Sequence, residues 1–193
     1  MALKDLFRNI LGWTVEYGDT TMQSPNEMSS EYKVFISYRR DGGYFIAELL
    51  KQYLKSHGIK AYLDLHDLQV LNRRWQDDIE THISMIPIFV LVVTHDMFAH
   101  KKDNEAIDWC EFEIGVALKD AQKNILQLVV NENGITVPDN SKKSKDRDIF
   151  IENAFHFLDQ RYKETLKDYQ MSFYSRDYPD ASLEEILKRI RNE

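Results

Sequence analysis

Lys33-Val34-Phe35-Ile36-Ser37-Tyr38-Arg39-Arg40-Asp41-Gly42-Gly43 is the stretch from which the fold can be read. It opens as an apolar, β-branched run, Val34-Phe35-Ile36, and turns abruptly polar. A helical stripe follows: Phe45, Ile46, Leu49, Leu50, Tyr53 and Leu54. Strand, short loop and helix make the start of a βα unit. A strand with little apolar/polar alternation is covered on both faces, as in a parallel sheet. The polar residues from Ser37 to Asp41 fall where that strand ends. In open α/β sheets ligands bind outside the carboxyl ends of the strands, so the first strand points at the place to look for function.

The rest of the chain repeats the alternation. Gly58 is a helix stop. Ile59 to Leu65 is expected as a second strand, and polar chain follows from His66 to Arg74. Trp75, Ile79 and Ile83 mark a second helix at i, i+4, i+8. Ile86 to Val93, with Pro87 near its start, is the most apolar strand and is expected at the centre of the sheet. A loop from Thr94 to Asn104, a third helix from Glu105 to Lys119 and a fourth strand from Ile125 to Val130 come next. Lys142 to Asp148 is a charged stretch, expected to be solvated and mobile. Ile149 to Leu158 reads as helix and Met171 to Tyr174 as a short fifth strand. Pro179-Asp180-Ala181-Ser182 opens a capped final helix through Leu183, Ile186, Leu187 and Ile190. The fold class is therefore α/β, a parallel five-stranded sheet with helices on both faces.

At the amino terminus, Leu3, Leu6, Phe7, Ile10 and Leu11 have helical spacing, with Lys4, Asp5 and Arg8 opposite. A short helix docked on the domain or on a partner chain is expected there. A membrane-surface helix is the lesser reading, because the polar face is only weakly basic. Thr20 to Ser30 is a linker. Residues 1–30 are thus read as helix plus linker, and 31–193 as one domain.

Composition narrows the function. The 193 residues carry a net charge of −7, which disfavours nucleic acid as a partner. The single cysteine, Cys110, fits a reducing compartment. No apolar run reaches the length of a membrane span, and no secretory signal is visible, so a cytoplasmic protein without a membrane partner is expected. His95 and His100 lack any metal-ligating spacing, so no metal site is expected. Ser37 lacks the context of a hydrolase nucleophile elbow.

Two constellations carry chemistry. Arg39 and Arg40 beside Gly42 and Gly43, at a helix start, could cradle a phosphate. The backbone can approach at glycine, and guanidinium forks grip phosphate oxygens. Composition alone favours a polar turn with surface ion pairs. In Asp108-Trp109-Cys110-Glu111-Phe112-Glu113, Trp109 and Glu113 lie at i and i+4 on one helix face. Cys110, Ile114, Ala117 and Leu118 define the neighbouring core face, which leaves Glu113 at its edge. A carboxylate beside a flat ring near the strand ends suits a sugar-and-base ligand, and spacing alone also allows an ordinary helix-edge glutamate. Tyr162, Tyr169, Phe173, Tyr174 and Tyr178 read as packing residues.

Together these motifs resemble TIR domains. Val34 to Asp41 resembles the family's opening strand and loop, and Ala61-Tyr62-Leu63-Asp64 its second strand with an aspartate. Trp75 to Ile83 is similar to the helix after its BB loop, Phe89 to Thr94 to its third strand. Asp108 to Ile114 resembles the Trp-x-x-x-Glu segment of enzymatic members. The resemblance is close in order and spacing from about Tyr32 to Val130. It is strongest to the NAD-cleaving branch, which includes a neuronal axon-degeneration enzyme and bacterial defence proteins. The chain's size is similar to the TIR component of Thoeris systems, which implies anti-phage immune signalling. One departure stands out: the loop Leu65 to Arg74 contains no glycine.

The resemblance implies a flavodoxin-like sheet of order 2-1-3-4-5. It implies NAD+ as substrate with no separate cofactor, and cleavage of the nicotinamide–ribose bond to ADP-ribose or a cyclic isomer. Glu113 would be the catalytic carboxylate. Ser37, Tyr38, Arg39, Arg40, Asp41, Gly42, Gly43, Asp64, Trp75, Thr94 and Trp109 would bind substrate. Partners would be further copies through TIR–TIR contacts, with an upstream trigger or a downstream effector protein. A non-catalytic TIR scaffold is the alternative; adaptors commonly lack the glutamate of the Trp-x-x-x-Glu setting. A nucleoside-processing enzyme acting on related N-glycosides is a third reading.

Overall fold

The computed structural model describes residues 31–63, 73–95, 97, 108–130 and 145–192, without the side chains of Asp41, Arg73, Arg74, Trp75 and Arg147. The expected N-terminal helix and linker, Asp64, the glycine-free loop as far as Asn72, and most of the loop after Thr94 lie outside the described residues.

The strands are β1 (Val34–Tyr38), β2 (Ala61–Leu63), β3 (Ile88–Val93), β4 (Asn124–Val130) and β5 (Gln170–Tyr174). The helices are α1 (Arg40–Ser56), α2 (Arg73–Met85), α3 (Trp109–Lys119), α4 (Lys145–Ala154), α5 (Gln160–Leu166) and α6 (Pro179–Arg191). The five strands form one sheet of order β2-β1-β3-β4-β5, every neighbouring pair parallel. The order turns back between β1 and β3, which is the topological switch point.

Each face of the sheet buries its own core. Phe35, Phe89, Leu91, Val93, Ile125 and Val129 point toward α2 through α5. Val34, Ile36, Val90, Val92, Leu126 and Leu128 point toward α1 and α6. Covering both faces is what permits strands without alternation; β3 is buried along all but its first residue. Fully burying one such side chain contributes roughly 1.5–3 kcal/mol, so the two layers, not the loops, hold the domain.

The end of α1 shows how local sequence sets an element boundary. Gly58 takes φ +76°, where a Cβ would be strained. Its N–H donates to the carbonyl of Lys55, and that of Ile59 to the carbonyl of Leu54. Ile59 and Leu54 share the same core. This is the paired hydrogen-bond pattern and apolar contact of a left-handed glycine stop.

Several expectations change. The second strand begins at Ala61 rather than Ile59, its expected last residues Asp64 and Leu65 lying outside the described residues, and the third helix starts at Trp109, capped by Asp108, whose side chain accepts from the Glu111 N–H. Of the charged stretch expected to be solvated and mobile, 142–144 lie outside the described residues, while Lys145, Asp146 and Asp148 are exposed as expected but belong to the first turn of α4, where the two aspartates suit the positive end of a helix. The helix expected to run to Leu158 stops at Ala154. Phe155, Phe157 and Leu158 fold into the core through a turn, and Asp159 caps a separate helix, α5. The final helix has proline in its first turn but no side-chain cap at Tyr178. Ser182 instead donates to the Tyr178 carbonyl and accepts from the Ser175 N–H. Among the described residues no helix is long and apolar enough to cross a membrane.

Candidate active site

Ser37 is the last fully buried residue of β1, at the switch point. On the strand it shares a side with Phe35, so it faces the α2–α5 layer. Opposite it runs α3, which packs on β1, α2 and α5. A helix pressed on several sides must be apolar over most of its circumference. Accordingly Cys110, Ile114, Gly115, Val116 and Ala117 are all buried, and Gly115 lets the Tyr162 hydroxyl approach to where a Cβ would stand 3.2 Å away.

Glu113 lies inside this layer rather than at its edge. It is 6% exposed, and its Oε2 accepts a hydrogen bond of 2.5 Å from Ser37 Oγ. The edge position expected from helix spacing fails because β1 ends against that side of α3, closing over it. Cys110 Sγ stands 4.0 Å from the same serine oxygen. Burial, reinforced by the negative charges of Glu113 and Asp108 and opposed by the Arg39 charge, pushes the Cys110 thiol far above its ordinary range. The thiol is therefore protonated at neutral pH and no nucleophile.

Arg39 has a different environment from the one a phosphate cradle would give. Its Nη2 donates to Asp108 Oδ2 at 2.7 Å, and its guanidinium lies 4.3 Å from the Phe157 ring centroid. The pair is largely buried, 13% and 4% exposed. Asp108 thus caps α3 and holds Arg39 at once, tying the end of β1 to the start of the helix that bears Glu113. The Nε of Arg39 is buried without a partner, and so is Thr94 Oγ1, just beyond β3. Buried polar atoms of this kind are uncommon, and each calls for an explanation such as a bound water or ligand.

The remaining predicted residues sit elsewhere on the rim. Tyr38, next along β1, faces the α1 layer and packs near Tyr44. Gly42 and Gly43 belong to the first turn of α1 rather than to a loop. The Gly43 N–H already donates to the Arg39 carbonyl, and a Cβ there would stand 3.1 Å from Tyr38 Cβ. Close packing accounts for that glycine. Arg40 is exposed at the head of α1. Trp109 is half-buried, edge-on to Phe112 at 5.9 Å. The structure therefore brings Ser37 and Glu113 together, with Arg39 and Trp109 around the start of α3, and places Tyr38 and Gly43 on the opposite face of the sheet. The side chains of Asp41 and Trp75, and all of Asp64, lie outside the described residues.

Sequence reasoning missed three participants: Asp108, Cys110 and Phe157. An aspartate directly before a helical stretch is a cap signal and could have identified Asp108. The other two meet their partners only through the fold.

Comparison with known proteins agrees with this architecture. The family described as TIR domain matches residues 34–169. Among curated proteins, the NAD(+) hydrolase sarm1 of Drosophila melanogaster is 32% identical over 108 residues, 55% of this chain and 8% of that protein. The NAD(+) hydrolase SARM1 of Danio rerio is 27% identical over 156 residues, 80% of this chain and 19% of that protein. The NAD(+) hydrolase tir-1 of Caenorhabditis elegans is 29% identical over 102 residues, 52% of this chain and 10% of that protein. The chain thus spans less than a fifth of the length of these relatives. Among solved structures, the TIR domains of the activated Roq1 resistosome superpose with a TM-score of 0.54 at 17% identity, covering 82% of this chain and 99% of that one. The TIR domain of the Toll-related receptor TRR-2 from Hydra magnipapillata gives 0.50 at 15% identity, covering 83% and 99%.

Proposed function

The chain belongs to the TIR domain family, and from that premise we propose that it is an NAD+ nucleosidase, with Glu113 as its catalytic carboxylate. The observation that carries this reading is the placement of Glu113: a buried carboxylate at the switch point, held at 2.5 Å by a strand-end serine. The names of the three hydrolase relatives support the reaction.

The chemistry suits a single carboxylate. The C–N bond between ribose and nicotinamide breaks, and its electron pair leaves with the nicotinamide nitrogen, turning a cationic ring neutral. No general acid has to protonate the leaving group, unlike in ordinary glycoside hydrolysis. Positive charge develops on the ribose, and an oriented negative group in a low-dielectric site stabilises it. Water attacking the ribose carbon gives ADP-ribose and a proton. An adenine nitrogen of the same molecule gives a cyclic isomer instead.

Arg40 and the first turn of α1, on one side of the β1 end, and Trp109 on the other, are the groups we assign to pyrophosphate and ring contacts. Self-association through TIR–TIR contacts, with a trigger or effector protein, is proposed as the working state on family membership. Anti-phage signalling is proposed on the sequence resemblance to defence TIR domains.

The test is nicotinamide release from NAD+ at high protein concentration, with products resolved by chromatography beside Glu113→Gln. Release should fall by about 100- to 1,000-fold in the variant, the usual loss when one electrostatic stabiliser is removed. Release at the wild-type rate in Glu113→Gln would overturn the mechanism.

A further inference from the structure

Ser37 carries one hydroxyl proton, and the structure shows where it goes. The backbone of Ser37 is held in the parallel ladder opposite Leu91, so its position is as rigid as the sheet. Its Oγ and Glu113 Oε2 are 2.5 Å apart. An ionised carboxylate only accepts, so the serine must donate. Having given its proton to Glu113, the hydroxyl can only accept from its other neighbour, the Cys110 thiol at 4.0 Å. The protonated state of that thiol, imposed by burial, supplies the proton. The three groups form a directed chain from Cys110 S–H through Ser37 O–H to the Glu113 carboxylate.

We propose that Ser37 is a positioning residue: it fixes the Glu113 carboxylate for the developing charge on the ribose and does not itself contact substrate. The proposal rests on the NAD+-cleaving reading above. A glutamate reaches its carboxylate through three rotatable bonds, and the spacing of α3 alone leaves those torsions open. A short bond from a strand residue 76 positions away removes that freedom. Charge stabilisation depends on the group being held in place before the reaction, and small misplacements at a reacting centre are costly. A role for Ser37 as a donor to substrate would require its single proton to leave the carboxylate, trading away the orientation of the group that does the chemistry.

The experiment is steady-state kinetics of nicotinamide release for the wild type, Ser37→Ala, Ser37→Thr and Glu113→Gln. Ser37→Ala should lower kcat by about 10- to 100-fold and leave KM within about threefold, the split expected when an interaction acts only in the transition state. Ser37→Thr, which keeps the hydroxyl, should recover most of that loss. If Ser37→Ala fails to fold, Ser37→Cys keeps the volume with a weak donor and should show the same fall in kcat. A raised KM at unchanged kcat would overturn the proposal by making Ser37 a substrate ligand. So would wild-type kinetics in Ser37→Ala, or a loss that Ser37→Thr does not recover. Failure of the underlying reading looks different: a wild type that releases no nicotinamide, or Glu113→Gln at full rate, removes the reaction and with it this role.

Discussion

The sheet has a buried charge at each end, and the two are treated in opposite ways. At the amino end, just before β4, Lys123 is 2% exposed at its side chain. Its ammonium donates to the carbonyls of Ile83 at 2.6 Å, Ser84 at 3.2 Å and Ile86 at 2.8 Å. Three N–H donors meet three carbonyls at and just beyond the last turn of α2, with Asp120 at 3.4 Å as counter-charge. At the carboxyl end Glu113 is nearly as buried, yet at that same end of the sheet Arg39 Nε and Thr94 Oγ1 are buried without a hydrogen-bond partner. Two other partnerless atoms, Gln127 Oε1 and Ser172 Oγ, lie within β4 and β5, away from either rim. Burial of a charge therefore does not by itself mark a functional site. What separates the two ends is whether the buried polar groups at that end are fully used within the fold.

That contrast is broken or sharpened by exchanging losses between the ends. On the proposed reaction, Glu113→Gln should lower nicotinamide release by about 100- to 1,000-fold, the largest effect in the molecule, and shift the unfolding midpoint little, because the amide oxygen still accepts from Ser37. Lys123→Met should do the reverse. It leaves carbonyls at the end of α2 without a buried donor, each worth about 1–3 kcal/mol, partly relieved by relaxation, for an expected loss of about 2–4 kcal/mol by urea unfolding. The folded fraction of Lys123→Met should turn over NAD+ at the wild-type rate. If Lys123→Met were as inactive per folded molecule as Glu113→Gln, the two ends would not be separable.

Asp108→Asn probes a residue that belongs to both categories. The amide oxygen can still accept from the Glu111 N–H, so the cap on α3 survives, but the charge facing Arg39 is gone. A partly buried ion pair reduced to a neutral contact should cost about 1–2 kcal/mol of stability, and activity should fall less than tenfold. Asp108→Ala should cost about 1 kcal/mol more, the usual value of a lost cap. Equal losses in the two variants, read by urea unfolding, would mean that the ion pair and not the cap does the holding.

The legible and illegible parts of this chain divide along similar lines. Val34 to Ile36 and Ile88 to Val93 could be read as buried parallel strands because burial on both faces writes itself into every position of a strand. Gly58 could be read as a helix stop because the left-handed backbone is a local requirement. Glu113 was visible as a residue type on a helix, but its burial depends on Ser37, and the Arg39–Asp108 clamp spans 69 positions. Helix spacing carries no record of what closes over an edge. Nothing local to Lys123 says that three carbonyls surround it. The break between α4 and α5 was hidden because Phe155, Phe157 and Leu158 are as apolar as a helix face and bury themselves from a turn.

A half-buried charge network at the surface supplies the smallest effect and the control for both buried ends. Glu152 on α4 takes Lys163 Nζ at 2.9 Å and Lys167 Nζ at 3.2 Å, with Gln160 Nε2 donating at 3.1 Å. The hydrogen bond from Lys163 foremost, then Gln160, with burial opposing, holds the Glu152 carboxyl down to about 2. A folded-state value below the unfolded one means the network stabilises the protein above the ordinary carboxylate range, near pH 4.5, and loses that contribution as pH falls toward 2. The Glu152 side chain is 37% exposed, so solvent and salt screen it. The difference in unfolding midpoint between wild type and Glu152→Gln should be small at pH 7, shrink steadily below pH 4.5 and diminish in about 1 M salt, where screening acts within a few ångströms. Neither Lys123→Met nor Glu113→Gln should show that salt dependence, because their charges sit out of reach of the ions. If the Glu152→Gln difference ignored salt, the surface network would be behaving like a buried one, and the distinction between used and unused burial would need another basis.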